Sequence, residues 1–189
     1  MKLYLATSNP GKIREFEGAG LDIEMLPALQ NLPLSPETGD TFEANAVQKA
    51  QYYGAHCDGW LIAEDSGLEV DALGRAPGIH SARWAGNDTA NNARLVAEMA
   101  GQPLRTARYV CVIALVDGNQ VLATFRGTVE GEILDDPRGD GGFGYDPYFL
   151  YPPFGQSFAE LPKDRKAVVS HRGEAIRKLI SWMRENAST

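Results

Sequence analysis

Glu64 and Asp65 stand side by side between the apolar run Trp60-Leu61-Ile62-Ala63 and the pair Ser66-Gly67. Two adjacent carboxylates where a buried strand ends are costly to desolvate unless a cation or a proton transfer uses them, so the pair reads as a metal and acid/base site. Asp, Ser and Gly also favour turns for local backbone reasons, and Asp65-Ser66-Gly67 taken alone serves equally well as a turn between two strands. Other clusters offer complementary chemistry. Thr7-Ser8-Asn9-Pro10-Gly11-Lys12 places hydroxyls, a turn and a lysine at the start of a helix, where free N–H groups and the positive helix end favour an anion such as phosphate. It lacks the Gly-Lys-Ser/Thr ending of a Walker loop, and in isolation it is a plain strand-to-helix turn. Asn45 and Lys49 are four residues apart on one helix face, which directs the lysine either to bound phosphate or to water. Glu37, before Thr38-Gly39, is an acid that reaches a metal or faces solvent.

Towards the C-terminus, Gly139-Asp140-Gly141-Gly142-Phe143-Gly144-Tyr145-Asp146-Pro147-Tyr148-Phe149 leaves room for a ligand. Glycine permits close approach, Phe143 offers a ring on which a base stacks, and Asp146 holds a base edge or orients a neighbouring side chain. A glycine-rich hairpin with core aromatics accounts for the segment equally well. Lys166, His171 and Arg172 gather cations within an acidic chain, and all three can donate hydrogen bonds to phosphate or to a purine carbonyl. A single histidine ahead of a terminal helix also serves as a cap or a satisfied polar group.

The elements that must position these groups follow from periodicity. Lys2 to Ala6 reads as a strand, with a helix starting near Lys12 and turning Ile13 and Phe16 inward. Leu21 to Leu26 reads as a second strand, and Pro27, Pro33 and Pro36 mark an irregular connection to Gly39. Asp40 is expected to cap a helix with Glu43 completing the capping box, and Phe42, Ala46, Ala50 and Tyr53 form its packed face. A further helix is expected over Asn91 to Ala100, a strand over Arg108 to Val116, and a hairpin at Asp117-Gly118 leading into Val121 to Arg126 and on to Ile133. An amphipathic helix over Glu174 to Glu185 closes the chain. The expected fold class is mixed α/β in one domain, since no repeat, linker or low-complexity tract divides the chain.

A chain of 189 residues has enough length for a substantial core, and its net charge of -7 argues against a broad nucleic-acid surface. Cys57 and Cys111 lack both metal-ligand spacing and the density of a disulfide framework. There is no signal-peptide pattern and no apolar stretch of membrane-spanning length, so the expectation is a soluble cytoplasmic protein without nucleic-acid or membrane partners.

Taken together and in order, Thr7 to Lys12, Asn45-Ala46 with Lys49-Ala50, Glu64 to Leu68, Gly142 to Pro147 and Ser170-His171-Arg172-Gly173 closely resemble the inosine/xanthosine triphosphate pyrophosphatases. The resemblance runs from Lys2 through the terminal helix. It implies a long mixed sheet flanked by helices, two lobes with a central nucleotide-binding cleft, a homodimer, and Mg²⁺-dependent hydrolysis of ITP, dITP and XTP to the monophosphate and pyrophosphate. Carried onto matching positions, it implies Asp65 as general base and metal ligand, Glu64 as its catalytic neighbour and Glu37 as a further metal acid. Thr7, Ser8, Asn9, Pro10, Gly11, Lys12, Lys49, Ser66 and Lys166 would meet the triphosphate. Phe143, Gly144, Tyr145 and Asp146 would wall the base, and His171 and Arg172 would donate to the purine 6-oxo group, where adenine instead presents an amine. Two positions depart from the family pattern: Leu34 stands after Pro33, and Ala44 before Asn45, where many relatives carry Glu.

Overall fold

The structure, a computed structural model, describes residues 2–27 and 29–186. Among the described residues there are five α-helices and a seven-stranded sheet, and the chain divides into two compact units. The first comprises Met1–Asp65, Cys111–Gly127 and His171–Thr189, the second Ser66–Val110 and Thr128–Ser170. Three of the four passages between them fall inside continuous strands, at 65/66, 110/111 and 127/128. A boundary inside a continuous strand needs no linker segment, which is why composition shows no division.

In the first unit, β1 (Leu3–Leu5) pairs parallel with β2 (Ile23–Met25) and with β3 (Trp60–Val70). Helix α1 (Pro10–Glu17) starts where Asn9 stays extended and its side chain accepts from the Gly11 and Lys12 amides, with Pro10 in the first turn, where its missing N–H costs nothing. Helix α2 (Phe42–Gly54) is capped by Thr41, whose hydroxyl accepts from the Ala44 amide; the expected Asp40 cap lies one residue too early. Strands β4 (Thr106–Asp117) and β5 (Gln120–Ile133) join through the Gly118 turn, as the Asp-Gly signal predicts. The terminal helix α5 (His171–Asn186) begins three residues before the expected Glu174. Leu3, Leu5, Phe16, Ile62, Ile113, Leu115, Phe125 and Leu179 form the core of this unit.

The central stretch departs from its expected form. Glu64, Asp65, Ser66 and Gly67 neither end a strand nor turn between two; they lie in the middle of the eleven-residue β3. In the sheet order β2-β1-β3-β4-β5-β6-β7, β3 has a neighbour on each side. Ladder pairing holds the backbone extended, and the turn preference of Asp-Ser-Gly loses to it.

The second unit holds α3 (Asp88–Met99), capped by Asn87, whose side chain accepts from the Ala90 amide. This helix begins three residues before the expected Asn91. Strand β6 (Phe149–Tyr151) pairs antiparallel with β5 and with β7 (Gln156–Ser157). Helix α4 (Lys163–Val169), for which the sequence reading had no element, carries Lys166 on its buried side. Leu68, Val70, Leu95, Met99, Tyr109, Phe149 and Phe158 form the core, with the Tyr109 and Phe149 rings 4.5 Å apart. Among the described residues, no helix is long and apolar enough to cross a membrane.

Candidate active site

Successive side chains of a strand point to opposite faces, so β3 sends its adjacent acids to different surroundings. Glu64 is 2% exposed and is surrounded by donors. Lys12 of α1 pairs with Oε1, Arg172 of α5 approaches Oε2 at 3.3 Å, and the Cys111 thiol donates to Oε2 at 3.3 Å. Burial by itself would raise the Glu64 carboxyl, but the Lys12 and Arg172 cations outweigh it and hold the group well below the usual carboxylate range. The same oxygen weakens Cys111 as an acid, since burial and the neighbouring Glu64 anion both push its thiol up.

Asp65 is set differently. Its Oδ2 accepts from Asn45 Nδ2 at 3.3 Å, and no lysine or arginine forms an ion pair with it among the described residues. Burial raises its carboxyl, Lys49 and Lys12 counter only partly, and the Glu64 and Glu37 anions add to the rise, so that it reaches about 6 from an ordinary 3.8. Lys49 lies nearby but is engaged elsewhere: Nζ pairs with Glu37 at 2.6 Å and donates to the Glu64 carbonyl at 3.2 Å. Burial lowers the Lys49 ammonium, yet its bond to Glu37 and the field of Asp65 prevail and leave it raised and charged. Asn45 joins these parts, because its Oδ1 accepts from the Gly39 amide at 2.8 Å while its Nδ2 holds Asp65.

The Thr7 to Lys12 turn is largely occupied by its own cap. Asn9 Oδ1 takes the Gly11 and Lys12 amides, Thr7 Oγ1 takes the Asn9 amide, and Ser8 and Pro10 face solvent. Arg172, read from the sequence as a donor to a purine, is 1% exposed, with Nη1 on Glu15 and Nη2 on Glu64. Burial opposes its charge, but the Glu64 and Glu15 anions prevail and hold its pKa above the ordinary arginine value. His171, 4% exposed, opens the same helix. Of the positions that depart from the family pattern, Leu34 is 86% exposed and Ala44 lies in the first turn of α2.

In the second unit, Asp146 Oδ2 accepts from Lys166 Nζ at 2.6 Å and from the Phe143 amide at 2.9 Å. Lys166 Nζ lies 5.0 Å from the centre of the Phe143 ring. Asp146 thus orients a side chain and a loop rather than projecting freely. Tyr145 is buried and donates to the Ser81 carbonyl at 2.7 Å, and burial pushes its phenol up. Ser66 is half-buried on β3.

Sequence reasoning did not assign Glu15, Asn45 or Cys111 to the site. Glu15 lies three residues after Lys12 on one helix, a spacing that does show in the sequence. Cys111 carries no local signal, since only the placing of β4 brings it to Glu64.

The Ham1 family model matches residues 3–182. The chain belongs to the Ham1 family. Among the relatives of this Ham1 chain, the dITP/XTP pyrophosphatase of Exiguobacterium sp. strain AT1b is 50% identical over 186 residues, 95% of each chain. The dITP/XTP pyrophosphatase of Desulforamulus reducens is 44% identical, with 95% of this chain and 94% of that one covered. The Ham1 protein of Staphylococcus aureus superposes with a TM-score of 0.87 at 37% identity, covering 98% and 99% of the two chains. The nucleoside-triphosphatase / dITP/XTP pyrophosphatase of Mycobacterium abscessus gives 0.73 at 39% identity, covering 95% and 97%. The Ham1 architecture is therefore the mixed sheet with flanking helices described above.

Proposed function

We propose that this Ham1 chain hydrolyses non-standard purine nucleoside triphosphates, dITP, ITP and XTP, to the monophosphate and pyrophosphate. The observation that carries the reading is the setting of Asp65: a buried carboxylate held by Asn45, beside lysines held in place by neighbouring acids. A carboxylate that is desolvated but holds no lysine or arginine in an ion pair is placed to accept a proton as a general base. Asp65 takes a proton from the attacking water as its oxygen bonds to the α-phosphorus and the bond to the bridging oxygen breaks, releasing pyrophosphate. Glu64 is fully neutralised by its own cations, so its part is to hold Lys12 and Arg172 rather than to accept a proton. Lys12 and Lys49 offset the charge of the phosphates.

A Mg²⁺ ion fits the donor chemistry of this unit. Mg²⁺ takes one or two carboxylates and completes its shell with water and substrate phosphates. Asp65 and Glu37, whose anions both act on Lys49, supply two such carboxylates in this unit. Asp65 and Glu37 would hold it, and when bound it would supply charge neutralisation to phosphate oxygens and favour ionised water.

Phe143 is assigned to stack on the base, with Gly144, Tyr145, Asp146 and Lys166 keeping its setting, and His171 to donate to the 6-oxo group. An adenine amine facing a donor leaves buried groups unpaired, which disfavours ATP. A homodimer and a cytoplasmic setting belong to the same reading; sedimentation and cell fractionation test them. The main experiment compares pyrophosphate release from dITP, ITP, XTP, GTP and ATP with Mg²⁺. Preference for the first three, lost in Asp65→Asn while nucleotide still binds, supports the proposal; binding without turnover by the unaltered protein overturns it.

A further inference from the structure

The first two turns of α3 grip the two peptide groups that flank Gly144 in the Phe143 loop. Asp88 Oδ2 accepts from the Gly144 amide at 3.0 Å, and Asn92 Nδ2 donates to the Gly144 carbonyl at 3.0 Å. The two residues are four apart on the helix, so their side chains rise from the same face. Gly144 has a φ of 61°, a left-handed conformation that glycine adopts without steric cost, and both polar groups of that residue are taken by the same helix. The neighbouring Asn91 anchors the segment before α3, donating to the Ser81 and Ala82 carbonyls at 3.2 Å and accepting from the Ala85 amide at 2.6 Å. Ser81 in turn receives the Tyr145 hydroxyl.

From this geometry we infer that Asp88 and Asn92 are positioning residues for base recognition: they clamp Gly144 and so set the Phe143 ring. The inference rests on the proposed role of Phe143 as a base platform. Phe143 is tied on its other side by the bond from its amide to Asp146, itself held by Lys166. Without the α3 clamp, the loop retains the Asp146 anchor but loses its hold on the residue after the ring. Glycine has the widest backbone freedom, so a released Gly144 lets the Phe143 ring wander. The clamp lies wholly in the unit that carries Phe143, whereas Lys12 and Lys49, which offset the charge of the phosphates, lie in the other. Its loss should therefore weaken binding of the base and leave binding of bare phosphate unchanged.

The test uses the full chain with Asn92→Leu, similar in size and unable to donate, Asp88→Leu, and Asp88→Asn, which keeps an accepting oxygen. KM and kcat for dITP, the inhibition constant of inorganic tripolyphosphate, and amide exchange of Gly144 in the ligand-free protein are measured for each. Expected for Asn92→Leu and Asp88→Leu are a rise in KM of about five- to tenfold, the worth of one hydrogen bond, a kcat within about twofold, and faster Gly144 exchange. Tripolyphosphate inhibition should not move, and Asp88→Asn should stay close to the unaltered protein. Unchanged KM with unchanged exchange overturns the clamp, as does equal weakening of dITP and tripolyphosphate, which marks a general structural defect. If the unaltered protein does not hydrolyse dITP, the proposed function falls; Gly144 exchange then decides whether the clamp exists.

Discussion

Replacing Asp65 by Asn should make the protein more stable in EDTA at pH 8, and the size of the gain follows from the surroundings of the carboxylate. Folding raises Asp65 from an ordinary 3.8 to about 6, through burial first and the nearby Glu64 and Glu37 anions second. The folded state therefore holds this proton more tightly than the unfolded chain does. The sign is opposite to that of a salt-bridged aspartate: below about pH 4 both states are protonated and the group costs nothing, and stability falls as pH rises from 4 through 6. Above pH 6 the full cost is present. An upward move of about two pH units at ~1.4 kcal/mol each amounts to about 3 kcal/mol. For a domain of this size, that corresponds to roughly 6–12 °C in Tm. Asn at this position keeps an oxygen for Asn45 Nδ2, so the packing contact survives. Thermal unfolding of both proteins in EDTA, from pH 4 to pH 8, gives curves that meet at the acid end and separate above pH 6. A gain as large at pH 4 as at pH 8 would refute the electrostatic argument, and no gain at pH 8 would show that Asp65 is not strained by its surroundings. If Asp65 also holds Mg²⁺, adding the metal at pH 8 stabilises the unaltered protein more than the variant.

Three further outcomes follow. Glu64→Gln leaves Lys12 and the buried Arg172 without their common anion and should cost about 3–5 kcal/mol in urea unfolding at pH 7, because a buried charge loses its partner. Since the Glu64 carboxyl is depressed by folding, its contribution is present above the ordinary carboxylate range and fades as pH falls through its folded value; the gap between the two proteins should close in strong acid. Gly39→Ala places a Cβ 2.6 Å from Ala44 Cβ and 2.8 Å from Asn45 Oδ1. The displaced Asn45 releases Asp65, so kcat on dITP should fall by about tenfold or more while the far-ultraviolet circular dichroism stays native. Chelating Mg²⁺ should abolish pyrophosphate release without unfolding the chain, as fluorescence in EDTA would show; undiminished turnover in EDTA would remove the metal from the reading.

Much of the first unit was legible in the residues themselves. Local chemistry decides a cap or a turn, so the Asp117-Gly118 hairpin could be read from a few neighbouring residues, and the first helix could be placed near Lys12, two residues inside its start at Pro10. Periodicity marked the packed faces of α2 and α5, because burial on one side of a helix repeats every 3.6 residues. The Asp40 cap was misplaced by one residue, since Asp and Thr are both good caps and only the backbone geometry chooses between them. Helix α4 went unseen because seven residues crowded with Lys163, Asp164, Arg165 and Lys166 carry too short a pattern to stand out.

The sequence by itself determined which residue types were available at the site: carboxylates at 64 and 65, lysines at 12, 49 and 166, and a glycine-rich loop around Phe143. Only the tertiary structure decided their roles. Local preference suggested a turn at Asp65-Ser66-Gly67, but pairing with strands far apart in sequence made it the middle of β3, and alternation along that strand separated two adjacent acids. Glu64 came to rest among Lys12, Arg172 and Cys111, while Asp65 met an amide and a lysine already engaged by Glu37. The division of labour between two neighbouring carboxylates arises from charges brought together across the fold, and such long-range electrostatics leaves no mark in the spacing of a single chain.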